Sequence, residues 1–404
     1  MKCILYLTFV LCSNIFVTSG RFLIQDAHIS VPHMIKAAGY PAEKHRTTTA
    51  DGYILQLYRI PGGRREKENF KTSTKAKEAV LVMHGIFGCS TNFLIMGPDR
   101  SLGYMLADAG YDVWLGNLRG NLHTAHLNLT RDNPKFWEYS FHEHGKYDVP
   151  ALIDKVLAVT GLRRIMYIGH SMGTTSLLTT LALRPEYNDR VLAFVALAPA
   201  VYFDHMKSMA QVFIKTFSIS DFLRSQGIMS ASLKPELQDR LVANICSVKH
   251  SKDNICTLLL QVIVGEDLEQ TDEDVTMQLM ARIQPASWRQ LEHFGKIALT
   301  SRFTSWEGGI LGPVKPYNMS NIKVPVLLLY GENDQVAEKS QVMRLARELN
   351  TSGIVEDVRP GCSWPKFNHV DFLFAKDLGT LLNRPLLKRI RKLFNKYGLK
   401  ISIA

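Results

Sequence analysis

Long hydrophobic runs are what this 404-residue sequence lacks. The one sustained run, residues 4–17, is too short to cross a bilayer comfortably, and no later segment offers a span, so a soluble protein is expected. Cysteine is also scarce. Of six, Cys3 and Cys12 fall in the N-terminal segment, which leaves Cys89, Cys246, Cys256 and Cys362 and so two bridges at most. Nothing in the chain resembles a nucleic-acid module, although the net charge is +11. Much of that excess lies in residues 388–400 (KRIRKLFNKYGLK), where apolar residues recur at helical spacing. A helix packing its apolar face on the core with its charges in water is the favoured reading, and contact with an anionic membrane or lipid droplet is the other.

What is present points to the secretory pathway. Residues 1–20 combine Lys2, the apolar run and small residues up to Gly20, the pattern of a secretory signal peptide. In an oxidising compartment Cys246 and Cys256, which bracket a short polar segment, are expected to form a local disulfide. Three glycosylation sequons, at Asn128, Asn318 and Asn350, lie in polar stretches that read as surface loops. The destination is therefore secreted (extracellular) or lysosomal. At 46% hydrophobic residues the chain can bury a substantial core.

The chain is organised around Gly169-His170-Ser171-Met172-Gly173. The apolar run 165–168 before it reads as a buried strand, and the small and apolar residues 174–183 after it read as a packed helix. Strand, G-x-S-x-G, helix is the context of a nucleophile elbow. The glycines stand where any Cβ would meet the neighbouring strand or helix, and the turn strains Ser171 and exposes its hydroxyl. At the helix N-terminus the backbone N–H of Met172 can donate to a developing oxyanion. The pentapeptide alone also occurs in ordinary Gly-Ser turns; the flanking elements favour the catalytic reading.

Along the rest of the chain, residues 31–38 read as a short helix, and 45–50 and 53–60 as strands of a hairpin turned by Asp51-Gly52. Residues 79–83 form a continuous apolar strand ending in His84-Gly85-Ile86-Phe87-Gly88, a turn that can aim the N–H of Ile86 at a ligand as a second oxyanion donor. Further helices are expected at 102–109 and 147–160, and further strands at 111–115 and 191–197. This alternation predicts an α/β fold with a mostly parallel central sheet and helices on both faces. The rhythm breaks near Pro199. Residues 201–304 show mainly helical patterns (206–217, 234–248, 254–264 and 286–299) with Met206, Met209, Met229, Met277 and Met280, and read as an inserted cap with a lid over Ser171. A strand at 324–330, a helix at 339–349 and a strand at 354–358 complete the core. The resulting division is a signal at 1–20, core at 21–200, cap at 201–304 and core again at 305–404.

A serine hydroxyl needs a base beside it and an acid to orient that base. Ser171, Asp334 at a strand end and His369 in a late loop stand in the chain order of an α/β-hydrolase triad. Glu332 is the alternative acid, but it sits within the turn itself. His84 and His170 lie in tight glycine turns and are expected to support loops rather than take the proton. Asp371 reads as a partner behind the triad or as a helix N-terminal acid.

Taken in order, GYPAEKHRTTTADGYILQLYRIP, HGIFGCSTNF, LADAGYDVWLGNLRGN, KYDVPALID, GHSMGTT, YNMSNIKVPVLLLYGENDQVAE and FNHVDF resemble the acid lipase family, which includes gastric, lysosomal and many insect lipases. The resemblance implies an α/β-hydrolase core with a helical cap, a lipase-associated segment at 31–60, and a Ser171–Asp334–His369 triad. It also implies hydrolysis of neutral lipid esters at an oil–water or membrane interface, with no cofactor and no metal. Three features depart from it. Met172 stands where the family usually has Gln, His123-Thr124-Ala125-His126 where an Arg-containing segment is common, and Cys89 where a small residue is frequent. Cys89 and Cys362 each lie close to a proposed site loop, so a second bridge between them is one expectation and two free thiols the other. A silent lipid-binding protein on this scaffold and a short-chain carboxylesterase are the competing functions.

Overall fold

Nine strands form one sheet among the described residues. They are β1 (Glu43–Thr48), β2 (Tyr53–Ile60), β3 (Ala79–Met83), β4 (Asp112–Leu115), β5 (Thr124–His126), β6 (Ile165–His170), β7 (Val191–Leu197), β8 (Val326–Tyr330) and β9 (Val355–Pro360). The structure is a computed structural model and describes residues 29–66, 77–204, 222–231, 235–246 and 255–398. Every residue of β3, β6, β7 and β8 is buried, as strands with no polar face require. The order across the sheet is β1-β2-β4-β3-β6-β7-β8-β9, with β5 beside β2. From β4 to β9 all pairings are parallel, and the β1–β2 hairpin and β5 add an antiparallel edge.

Among the described residues the helices of seven or more residues are α1 (Val31–Ala37), α2 (Leu102–Asp108), α3 (Val149–Thr160), α4 (Met172–Leu183), α5 (Pro235–Leu241), α6 (Ile255–Val264), α7 (Glu273–Ala281), α8 (Trp288–Thr300), α9 (Lys339–Asn350) and α10 (Arg384–Tyr397). α4 follows the elbow and is buried along almost its whole length. α10 carries the basic C-terminal stretch: Leu386, Ile390, Leu393 and Phe394 are buried, each contributing about 1.5–3 kcal/mol. Its cations stay outside and pair with the edge strand, Arg389 with Asp357 at 3.0 Å and Lys396 with Glu356 at 2.8 Å. Core packing thus accounts for the periodicity of that stretch.

α5 to α8 lie between β7 and β8 in the chain, where the rhythm was expected to break. A disulfide, Cys246–Cys256, with Cα atoms 5.5 Å apart, ties the turn after α5 to α6 and packs with Val242, Met277 and Met280. Closing this short loop is worth roughly 2.5–3 kcal/mol in the chain-entropy model. The expected signal peptide, Met206, Met209 and the helix at 206–217 fall outside the described residues. α7 was not anticipated; Asp272 caps it by accepting from the Val275 N–H at 3.2 Å, a signal its weakly periodic sequence does not reinforce. β5 was missed as well. Its His126 sits against the hairpin turn, with Nε2 donating to the Asp51 carbonyl at 3.0 Å, and His123 shares a hydrogen bond with Tyr58. Among the described residues no helix is long and apolar enough to cross a membrane.

Candidate active site

The elbow forms because no side chain would fit where its glycines stand. A Cβ on Gly169 would lie 2.8 Å from backbone atoms of Gly173 and Thr174, and one on Gly173 would lie 2.5 Å from the Met83 carbonyl oxygen. Strand, turn and helix therefore approach closer than any larger residue allows. The cost falls on Ser171, which adopts φ 53° and ψ −122°, a strained backbone for a non-glycine residue. Its N–H donates to the Leu197 carbonyl of the next strand at 3.0 Å, and its own carbonyl accepts from the Thr174 N–H at 2.9 Å. The strain is thus held from both sides.

Parallel strands bring their C-terminal ends to one rim, and Ser171, Asp334 and His369 follow β6, β8 and β9 there. Ser171 Oγ lies 2.8 Å from His369 Nε2. His369 Nδ1 lies 2.9 Å and 3.1 Å from the two carboxylate oxygens of Asp334. A carboxylate only accepts, so Nδ1 carries the proton and Nε2 is left as the acceptor for the serine O–H. Asp334 is aimed in turn by the N–H groups of Val336 and Ala337, which donate to Oδ1 at 2.8 and 2.7 Å. All three groups are nearly excluded from water. Glu332 instead is exposed and paired with Lys339 at 3.0 Å, so Asp334 alone meets the histidine.

His84 and His170 hold loops, as expected. His84 Nδ1 donates to the Gly85 carbonyl at 2.8 Å, and Nε2 accepts from the Leu118 N–H at 3.1 Å. Burial pushes its pKa down to about 4. His170 Nε2 donates to the carbonyl of His369 at 2.9 Å, and burial, with His369 nearby, lowers its pKa to about 3. Both stay neutral over the ordinary range and carry no competing charge beside the base. A Cβ on Gly85 would stand 2.9 Å from Ser171 Cβ, so the loop bearing Ile86 packs directly on the nucleophile.

One expectation is corrected. Cys89 and Cys362 are free thiols, the first buried and the second half-exposed. Cys89 follows β3 and Cys362 follows β9, with β6, β7 and β8 between them. At ~4.8 Å per strand the two strands lie about 19 Å apart, far beyond the reach of a bridge. Sharing a rim is not sharing a neighbourhood: Cys89 Sγ turns to Thr91 Oγ1 at 3.1 Å, and Cys362 lies near Asp371 and Asp267. Asn128, Asn318 and Asn350 are all exposed.

Two family models match the chain, a partial alpha/beta-hydrolase lipase region over residues 31–97 and the alpha/beta hydrolase fold over residues 78–234. The chain is 32% identical to Lipase 1 of Drosophila melanogaster over 379 residues, 91% of this chain and 81% of that one. It is 33% identical to gastric triacylglycerol lipase of Bos taurus over 366 residues, 87% and 88% of the two chains. The chain belongs to the acid lipase family of the α/β-hydrolases. A solved membrane phospholipase A shares the fold at a TM-score of 0.51 and 15% identity, over 98% of this chain and 99% of that one.

Within this acid lipase, sequence reasoning missed the residues that join α6 and α8 to the loops of the triad. The Val264 carbonyl accepts from the N–H groups of both His369 and Gln335 at 3.3 Å, and the Gly265 carbonyl accepts from Asn368 Nδ2 at 2.8 Å. Gly265 has φ +109°, and a Cβ there would fall 1.9 Å from the Asn333 carbonyl oxygen. A glycine closing a helical pattern was the available signal. Gln290 of α8, whose Nε2 donates to Met172 Sδ at 3.3 Å, had none.

Proposed function

We propose that this chain is a serine lipase that hydrolyses carboxylic esters of neutral lipids, triacylglycerols foremost and sterol esters besides, through an acyl-enzyme. The observation that carries the proposal is the unbroken chain of contacts from Ser171 Oγ through His369 to Asp334. His369 Nε2 takes the Ser171 proton as Oγ attacks the ester carbonyl, and the N–H groups of Ile86 and Met172 receive the oxyanion. The imidazolium, held by Asp334, gives its proton to the departing alcohol. Water then loses a proton to Nε2 as it attacks the acyl-enzyme, and that proton returns to Ser171 as the fatty acid leaves.

An exposed ridge supports an oil–water or membrane interface as the place of action. On α6 the inward positions are Thr257, Gln261 and Val264, while Ile255, Leu259, Val262 and Ile263 face solvent, Val262 at 74% exposure. The helix is amphipathic in the inverted sense, and it ends at the carbonyl that holds His369. Residues 201–304 act in this reading as the cap that meets the acyl chains. Entry into the secretory pathway through residues 1–20 is supported by the disulfide and by the exposure of all three sequon asparagines.

The test is the purified mature protein assayed on triacylglycerol, cholesteryl ester and a short-chain ester, beside Ser171→Ala and labelling by a fluorophosphonate. Turnover of the long-chain esters and labelling confined to Ser171 are expected. Labelling without any ester turnover sinks the lipase reading in favour of a lipid-binding role. Turnover of the short ester alone makes the protein a carboxylesterase.

A further inference from the structure

Two aspartates behind the catalytic histidine face each other across the joint between cap and core. Asp267, on the cap segment after α6, is fully buried; Asp371, two residues after His369 and first in the short helix Asp371–Phe374, is buried as well. Their carboxyl groups lie within reach of a hydrogen bond to each other. Such a bond needs a proton on one of them, because two carboxylates can only accept.

The surrounding donors decide which one holds it. Asp267 accepts from Trp364 Nε1 at 2.6 Å and from the Gln270 N–H at 3.3 Å, so it is the better-solvated anion. Asp371 accepts on Oδ2 from the Asn368 N–H at 2.7 Å, one donor against the two that serve Asp267, so the proton is assigned to Asp371. Asn368 precedes His369 and donates from its side chain to the cap carbonyl of Gly265 at 2.8 Å.

We propose that Asp267 and Asp371 hold one proton between them and that this proton fastens the cap to the loop carrying His369, making both aspartates positioning residues for the base. The inference rests on His369 being that base. The charged and titratable groups that act on the pair are Glu269 from the cap, Lys366 from the histidine loop, Asp334 from the loop after β8, and Cys362 from the loop after β9. Lys366 is engaged with Glu269 at 2.8 Å, and Asp334 repels a second negative charge. Burial foremost pushes both carboxyls up, Asp371 to about 8. Because the folded state keeps a proton that the unfolded chain releases, the stability this group supplies is complete at acid pH. It drains away as pH rises from about 4 to about 8.

The experiment uses the mature full-length protein with Asp371→Asn and Asp371→Ala, and reads two quantities from pH 5 to pH 9. One is the thermal midpoint; the other is the rate at which a fluorophosphonate labels Ser171. In the unaltered protein the labelling rate should fall about tenfold from pH 7 to pH 9, following the protonated fraction. Asp371→Asn keeps a donor to Asp267 and cannot ionise, so its rate at pH 7 is retained, its alkaline fall is lost and its midpoint varies less with pH. Asp371→Ala leaves the Asn368 N–H without its acceptor and is slow throughout. An Asp371→Asn protein with the same alkaline fall and the same midpoint profile as the unaltered one overturns the proposal. So does an Asp371→Ala protein that matches the unaltered one, and if that variant fails to fold, Asp371→Asn decides alone. Absence of labelling in every form, with the midpoints as stated, condemns the catalytic reading and leaves the shared proton standing.

Discussion

Met172 Sδ accepts a hydrogen bond from Gln290 Nε2 across 3.3 Å, which ties the residue after the nucleophile to helix α8. Gln290 also holds the start of that helix, its Oε1 accepting from the Ser287 N–H at 2.8 Å. The side chain of Met172 thus has a partner of its own, distinct from the backbone N–H proposed as an oxyanion donor. Met172→Gln keeps that N–H and places another polar group beside Gln290. Activity should therefore stay within roughly tenfold, or ~1.4 kcal/mol of barrier. Ester turnover by the folded variant checks this, and a loss as deep as that of Ser171→Ala would give the thioether a role in the reaction.

Asp334→Asn should lower turnover by roughly 10⁴-fold, since an amide can present its N–H to His369 and leave the imidazole in the wrong tautomer. Glu332→Gln removes only a half-exposed pair with Lys339 and should leave kcat near its original value. The comparison is made with both proteins folded, by kcat on one ester. Reversed losses would mean that the acid has been misassigned.

The core of the fold and the triad were legible in the sequence because each rests on local chemistry. β3 ends where it was expected, at Met83, because five apolar residues run into a glycine turn. Ser171 announces itself through the two glycines that its turn cannot do without. What escaped was settled by pairing across distance. β5 is three residues whose only reason to be extended is the exposed edge of β2. The Asp267–Asp371 pair joins positions more than a hundred residues apart, and nothing in either local sequence names the other. Cys89 and Cys362 failed for the complementary reason: reasoning from a shared rim supplied no distance along it.

Gly85→Ala should abolish most activity without unfolding the protein. Its Cβ would stand 2.9 Å from Ser171 Cβ and 3.4 Å from Oγ, so the nucleophile or the loop bearing Ile86 must move. A misplaced reacting atom costs on the order of 100-fold. Gly173→Ala is the contrasting case, because its Cβ would meet the Met83 and His84 carbonyl oxygens, backbone of β3 and of the tight turn after it that has no room to give. That variant should lose stability outright. Circular dichroism and turnover measured together separate the two, and a fully active Gly85→Ala protein would remove the loop from the oxyanion site.

The last prediction concerns acid. Burial, the largest cause in both, lowers His170 to about 3 and His84 to about 4 from an ordinary 6.5. Below pH 6.5 the unfolded chain takes up a proton at each of these positions while the folded chain does not. Stability therefore falls as pH drops from about 6.5 toward those values, by ~2 kcal/mol per histidine at pH 5. Asp371 acts in the opposite direction across much of the same window, so the unaltered protein shows only the difference. His170→Gln isolates one term: the amide can still donate to the His369 carbonyl, but it cannot titrate. The variant should be somewhat less stable at pH 7, because a buried ring is lost, yet fall less steeply between pH 7 and pH 5. Urea unfolding at the two pH values measures this directly. An unchanged slope would mean that His170 titrates in the folded protein much as it does in the unfolded chain.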